Sequence, residues 1–133
     1  MENLKEIRWK QRFMNYERSF KLLKAYINIE KPSEIERAGG IQFFEMCFEL
    51  AWKTMKDFLE AEGYIVKSPR ETIKQALQYG LIEDGYSWID GLADRNLIVH
   101  TYDEKTAELV DYKLKEKYYK LLSELYEKLK GKI

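Results

Sequence analysis

An all-α fold is what this sequence predicts, and three observations predict it. Apolar residues recur at steps of three and four through most of the chain, Gly and Pro fall between those runs, and no run alternates as a strand does. The one β-branched stretch, Tyr64-Ile65-Val66, is too short to build a sheet. Apolar residues make up 45% of 133, enough for one core, and the 35% that are charged suit helices with ion-paired outer faces. The expectation is a single domain over residues 1–133, folded as an antiparallel up-and-down bundle of about five helices with no sheet.

The first helix is expected over about residues 3–29. There Trp9, Phe13, Tyr16, Phe20, Leu23 and Ile27 alternate steps of four and three along one face, and Lys31-Pro32-Ser33 ends the run because Pro cannot continue the hydrogen-bond ladder. Ser33 and Glu36 have capping-box spacing. Gly39-Gly40 weakens that start, so regular helix is expected nearer Ile41. Ile41, Phe44, Phe48, Trp52, Met55 and Leu59 form its stripe, and Phe43, Cys47, Leu50 and Phe58 widen it, which implies burial on more than one side. Gly63 is placed to act as a left-handed stop.

Ser68-Pro69-Arg70-Glu71 opens a short third helix: Ser caps, Pro takes the first helical position, and Glu reaches back from the third. Ile73, Ala76 and Leu77 should face inward, and Gly80 should end the helix. A fourth begins near Gly85, carries Trp88, Ile89 and Leu92, and runs towards the high nineties. Asp103 caps a long last helix with Ala107, Val110, Leu114, Tyr118, Leu121, Leu125 and Leu129 as its stripe.

Composition narrows the function. Net charge is zero, so no global field draws nucleic acid or membrane to the chain. Charge is uneven along it: residues 1–29 hold seven basic and three acidic side chains, whereas residues 80–104 hold six acidic ones and Arg95. These are either solvated helix faces or surfaces that recognise each other or a partner. Cys47 is the lone cysteine, Met1 to Lys5 carry no apolar run, and no stretch reaches the roughly 20 apolar residues of a membrane span. A cytoplasmic protein without membrane attachment is expected. No Gly-rich phosphate loop or nucleophile elbow is present, and one His with one Cys cannot close a zinc site. No metal and no cofactor are therefore expected. A nucleotidyl-transferring enzyme would need a strand-borne Gly-Ser with paired carboxylates, so this chain is not expected to be one.

One constellation stands apart. His100, the only histidine, lies in Arg95-Asn96-Leu97-Ile98-Val99-His100-Thr101-Tyr102, with a cation, an amide, a hydroxyl and a phenol around it. Arg and His together suit phosphodiester chemistry without metal: imidazole moves a proton near neutral pH, and guanidinium grips phosphate oxygens and offsets developing charge. On RNA the 2′-hydroxyl can serve as internal nucleophile. Five residues of helix turn by about 500°, which sets positions 95 and 100 about 140° apart. Either the helix breaks before His100, which the β-branched Val99 and Thr101 permit, or the groups converge across a subunit boundary. A single histidine favours the second, since a twofold homodimer supplies His100 twice. Asp94 beside Arg95 is open to reading as an ordinary surface ion pair.

The string Arg95 to Tyr102 resembles the R-x4-H-x-Y signature of HEPN-superfamily proteins of the HepT kind. Arg8-Trp9-Lys10-Gln11-Arg12-Phe13, Gln42-Phe43-Phe44-Glu45, Phe48-Glu49-Leu50-Ala51-Trp52-Lys53 and Ser68-Pro69-Arg70 resemble, in the same order, the subgroup called nucleotidyltransferase substrate-binding proteins. The resemblance covers nearly the whole chain. It implies a HEPN-like helical bundle that is usually a homodimer, with a small, separately encoded nucleotidyltransferase as partner. In toxin members of toxin–antitoxin pairs, it further implies metal-independent RNA cleavage by Arg and His, silenced when the partner attaches AMP to the tyrosine. Carried over by motif position, Arg95 and His100 would be catalytic, Asn96 would assist, and Tyr102 would accept AMP. The functional expectation is thus a metal-independent endoribonuclease toxin neutralised by AMP transfer to Tyr102. The alternative is a non-catalytic subunit that binds the nucleotidyltransferase and presents its substrate.

Overall fold

The computed structural model describes residues 3–100 and 103–133, with position 100 described through its backbone. The described residues are helical with no strand: α1 (Leu4–Ile27), α2 (Glu34–Ala61), α3 (Pro69–Tyr79), α4 (Gly85–His100), and α5 (Glu104–Lys113) running through a π-helical turn (Leu114–Tyr118) into α6 (Tyr119–Lys130). Backbone dihedrals stay right-handed helical across both junctions, so α5, the π turn and α6 form one rod. Counted as rods there are five among the described residues, as the periodicity predicts. None of the described helices is long and apolar enough to cross a membrane.

Side chains set the ends. Asn3 accepts from the Lys5 amide at 2.9 Å. Ser33 and Glu36 close a reciprocal capping box, with bonds of 3.1 and 2.9 Å. Asp103 accepts from the Thr106 amide at 2.8 Å. Gly63 and Gly80 take positive φ of 99° and 90° and end α2 and α3, a conformation that favours glycine. Ser68 caps α3 and accepts from Glu71 at 3.1 Å, whereas the Glu71 carboxylate closes on the Lys67 amide at 2.9 Å, one residue before the cap.

The expected late start of α2 is wrong. The helix begins at Glu34 and runs through Gly39-Gly40. The capping box offsets part of the glycine cost, and a tertiary contact explains Gly40: a Cβ there would stand 2.4 Å from the Tyr26 ring. That contact also draws Tyr26, rather than Ile27, into the core, where its hydroxyl donates to Asp111.

α2 touches every other helix. Around it the core is largely aromatic: Trp9 meets Phe58 edge-on at 5.2 Å, Phe20 stacks on Tyr126 at 4.9 Å, Phe44 stacks on Tyr118 at 5.5 Å, and Phe48 meets Trp88 at 5.4 Å. The last rod buries every residue of its expected stripe. Leu77 departs from expectation: it is 44% exposed and lines a groove with Ile73, Tyr86, Ile89 and Ala93, while Thr72 joins Ile73 and Ala76 on the face that α3 buries.

Candidate active site on the fourth helix

α4 is fixed from three sides before it presents anything. At its start, the Asp84 carboxylate accepts from the Ser87 amide at 3.0 Å and the Ser87 hydroxyl at 2.7 Å, and these bonds hold it below the ordinary carboxylate range. In its middle, Gly91 lies against α2, where a Cβ would come within 2.9 Å of the Phe48 ring. On the side facing the last rod, Asp90 accepts from Lys117, while Asp94 pairs with Lys113 at 3.2 Å and accepts from the buried Tyr118 hydroxyl. Three of these donors, Lys113, Lys117 and Tyr118, come from the π turn or the residue before it. The acidic stretch therefore finds its partner within the chain in the last rod. α1 packs instead on α2 and α6, and its Arg12 pairs with the buried Asp57 at 3.0 Å.

Arg95 points the other way. Its Nη2 lies 2.8 Å from Glu49 Oε2 on α2, and its Nη1 donates to the side chain of Asn96 at 3.1 Å. Glu49 is held by its own helix as well: Trp52 Nε1 donates to it at 2.9 Å and Lys53 Nζ pairs with it at 3.1 Å. Burial pushes the Glu49 carboxyl up, but the bonds from Trp52 and Lys53 and the charge of Arg95 outweigh burial, so Glu49 lies below its usual range. Glu45, one turn earlier, lies above its usual range because burial raises it more than Arg95 lowers it. Arg95 Nε is buried and has no hydrogen-bond partner among the described residues. Asp94 and Arg95, though adjacent, form no pair: consecutive helical positions diverge by about 100°, and each finds a partner on a different helix.

The helix runs unbroken through position 100. A break before His100, one of the two ways to bring it to Arg95, is therefore ruled out, and within one chain positions 95 and 100 remain about 140° apart. Position 96, four residues earlier, shares the face of position 100. Tyr102 and Thr101 lie outside the described residues, so the expected AMP acceptor has no geometry here. Among the described residues, no group of three or more His, Cys, Asp or Glu is placed to hold a metal ion.

The family described as nucleotidyltransferase substrate binding protein like matches residues 11–131, almost the entire chain. The chain belongs to this family, among the HepT-like HEPN proteins. It is 35% identical over 78 residues to a Haemophilus influenzae protein named probable ribonuclease HepT, covering 55% of this chain and 53% of the relative. The match thus spans about half the length of that relative. A crystal structure of a Thermus thermophilus protein superposes with a TM-score of 0.78 at 33% identity, over 86% of this chain and 98% of that one.

Beside the R-x4-H-x-Y string, α2 contributes the side chain that pairs with Arg95. Reading the residues for chemistry singled out Arg95, Asn96, His100 and Tyr102 and missed Glu49, which pairs with the guanidinium, Trp52 and Lys53, which hold Glu49, and Glu45, whose carboxyl feels the charge of Arg95. A signal was available. Glu45, Glu49, Trp52 and Lys53 fall at helical steps of four, three and one within the very α2 strings that resemble the family.

Proposed function

We propose that the protein is the RNA-cutting toxin of a pair with a separately encoded minimal nucleotidyltransferase, and that it works as a homodimer in the cytoplasm. The observation that carries this reading is the end of α4. One helix holds a partly exposed guanidinium on one face, and on the next it holds Asn96 and position 100 beside a bared apolar stripe. Tyr86 and Leu97 on that stripe are 91% and 48% exposed, which suits a surface covered by a second copy. Packing of two copies across it places both His100 residues at one boundary with an Arg95 flanking each. His100 of one copy takes the 2′-hydroxyl proton, and the 2′ oxygen attacks the adjacent phosphorus. The bond to the 5′ oxygen breaks, and His100 of the partner subunit, as imidazolium, protonates the leaving oxygen. The products are a 2′,3′-cyclic phosphate and a 5′-hydroxyl end. Arg95 offsets the charge that develops on the phosphate, and Asn96 assists as a hydrogen-bond donor. The name of the Haemophilus relative supports ribonuclease chemistry, and the family description supports the nucleotidyltransferase partner.

In this reading Tyr102 is the control point. Its phenol oxygen attacks the α-phosphorus of ATP bound to the partner enzyme, pyrophosphate leaves, and the AMP now lies two residues from His100. The test is RNA cleavage by the purified protein in EDTA, with His100→Ala alongside, followed by intact mass after incubation with the partner, ATP and Mg²⁺. Cleavage that the variant lacks, and one AMP adduct that abolishes it, are expected. Uncut RNA from the wild type would overturn the enzymatic reading.

The family description favours one other reading, a subunit that binds the nucleotidyltransferase without turnover of its own. It predicts a stable complex with that enzyme that survives His100→Ala, together with no RNA cleavage.

A further inference from the structure

We propose that Glu49 is the positioning residue of Arg95, the anchor of a Glu49–Trp52–Lys53 cradle on α2 that fixes the plane of the guanidinium and leaves its remaining N–H groups for phosphate. The inference rests on the proposed role of Arg95 in phosphate binding and adds to it the reason that α2 carries this string of residues.

An arginine side chain is long and rotamer-rich, so a guanidinium that must meet a phosphate at a set angle needs an anchor. Glu49 is built as one. Trp52 and Lys53 stand three and four residues after it, on the same face of α2, and hold its two oxygens at 2.9 and 3.1 Å without any help from α4. The oxygen that accepts from Trp52 also takes Arg95 Nη2 at 2.8 Å. Asn96 takes Nη1 at 3.1 Å. Both terminal nitrogens are thereby tied down, which fixes the plane. A guanidinium carries five N–H donors. Two are engaged here, and Nε is buried without a partner among the described residues. The free Nη N–H groups, on a side chain that is 24% exposed, are what an incoming phosphate oxygen would meet.

The arrangement differs from an ordinary surface ion pair in having three donors converge on one carboxylate, two of them independent of the group being held. It also separates two roles. Glu49 touches no RNA in this scheme, and Arg95 does.

Two substitutions and two measurements test the cradle in the full-length protein. Glu49→Gln keeps an oxygen for Trp52 and Arg95, and Glu49→Ala removes it. With RNA, Glu49→Ala should lower kcat by about tenfold or more with KM changed by less than about threefold, since the phosphate still binds but at the wrong angle. Glu49→Gln should stay within about threefold of the wild type in both. Independently of activity, ¹⁵N–¹H spectra of the Arg95 guanidinium should show resolved, slowly exchanging Nη signals in the wild type and in Glu49→Gln, and averaged signals in Glu49→Ala. Should Glu49→Ala not fold, Trp52→Phe takes its place: it keeps an aromatic ring, smaller than the indole, and drops the Nε1 donor, and a kcat loss of about threefold with broadened Arg95 signals is expected. Equal kcat in wild type and the donor-deficient variant, equal losses in Gln and Ala, or unchanged Arg95 signals would each overturn the cradle. A wild type that cuts no RNA overturns the functional reading alone, and the spectra still decide the cradle.

Discussion

The α1–α2 hairpin and the last two turns of α4 are built from the same secondary structure and handle their side chains in opposite ways. In the hairpin, Trp9, Phe13, Tyr16 and Phe20 are all buried, and the polar groups packed among them are partnered: Trp9 Nε1 on Glu6 at 2.9 Å, Arg12 on Asp57 at 3.0 Å, and the Tyr16 hydroxyl on the Leu122 carbonyl, while Arg37 Nε, at the start of α2, has only the charge of Asp111 at 3.8 Å. At the end of α4, Leu97 and Val99 are 48% and 46% exposed, Asn96 faces solvent, and Arg95 keeps an unpartnered Nε among the described residues. Burial of satisfied groups stabilises; a site that binds must instead keep groups whose bonds are still to be made. The hairpin therefore holds stability, and α4 holds the capacity to react.

Substitutions should separate the two most sharply. Arg95→Ala and His100→Ala should each lower RNA cleavage by about 100-fold or more with little change in melting temperature, because general acid–base and charge-stabilising roles are worth that much. Gly40→Ala should do the reverse. Its Cβ would lie 2.4 Å from the Tyr26 ring, which cannot retreat while its hydroxyl is bonded to Asp111. Overpacking of this kind outweighs the gain in helix propensity, and a net loss of about 2 kcal/mol in a urea melt is expected, with kcat of the folded protein unchanged. A stable Gly40→Ala, or an Arg95→Ala that fails to fold, would break the division.

The same contrast explains what could be read before the structure. Stripes on α1, α2 and the last rod were legible because each buries one face at the helical period, and, Asn3 and Asp84 aside, the caps follow from adjacent residues. Gly39-Gly40 was misleading, since local propensity says helix breaker and the reason for Gly40 is a ring on another helix. Tyr26 and Leu77 were likewise decided by tertiary partners, Asp111 in one case and the α3–α4 groove in the other. At the site, Arg95 and Asn96 were legible as a motif. The cradle was legible only in part: Glu49, Trp52 and Lys53 stand at helical spacing on α2, but the bond from Arg95 on α4 leaves no mark in local spacing, and neither does the π turn that aims Tyr118 at Asp94.

Tyr118→Phe examines the boundary between the two regions. Tyr118 is fully buried and stacks on Phe44, so its ring belongs with the core, while its hydroxyl serves α4 through Asp94. Removing the hydroxyl should leave the stacking intact and cost about 1.5 kcal/mol, the scale of a hydrogen bond to a charged group. The loss should appear as faster amide exchange in α4 with α1 unchanged. Exchange that rises evenly across the molecule would mean that α4 has no stability of its own to lose.

Acid should loosen α4 in a way that one carboxylate reports. The bond from Lys117 holds Asp90 below the ordinary carboxylate range, with the charges of Lys113 and Lys117 adding to it against burial. A carboxyl lowered in the folded state contributes stability above its unfolded pKa and loses it as pH falls through the folded value. Glu45, which is raised, contributes in the opposite sense, favouring the fold at low pH and losing that share as pH rises. Because the Asp90 side chain is 34% exposed, solvent screens the pair, and Asp90→Asn should cost only about 0.5 kcal/mol at neutral pH. That difference from the wild type should stay constant from neutral pH down to about pH 5 and shrink only below it, as pH falls past the ordinary aspartate value of about 3.9 and through the lower folded one. Urea melts followed by tryptophan fluorescence at several pH values measure it directly. A difference independent of pH would assign the Asp90 contribution to shape rather than charge, and the charged hold of the last rod on α4 would then rest on Asp94 with Lys113 and Tyr118.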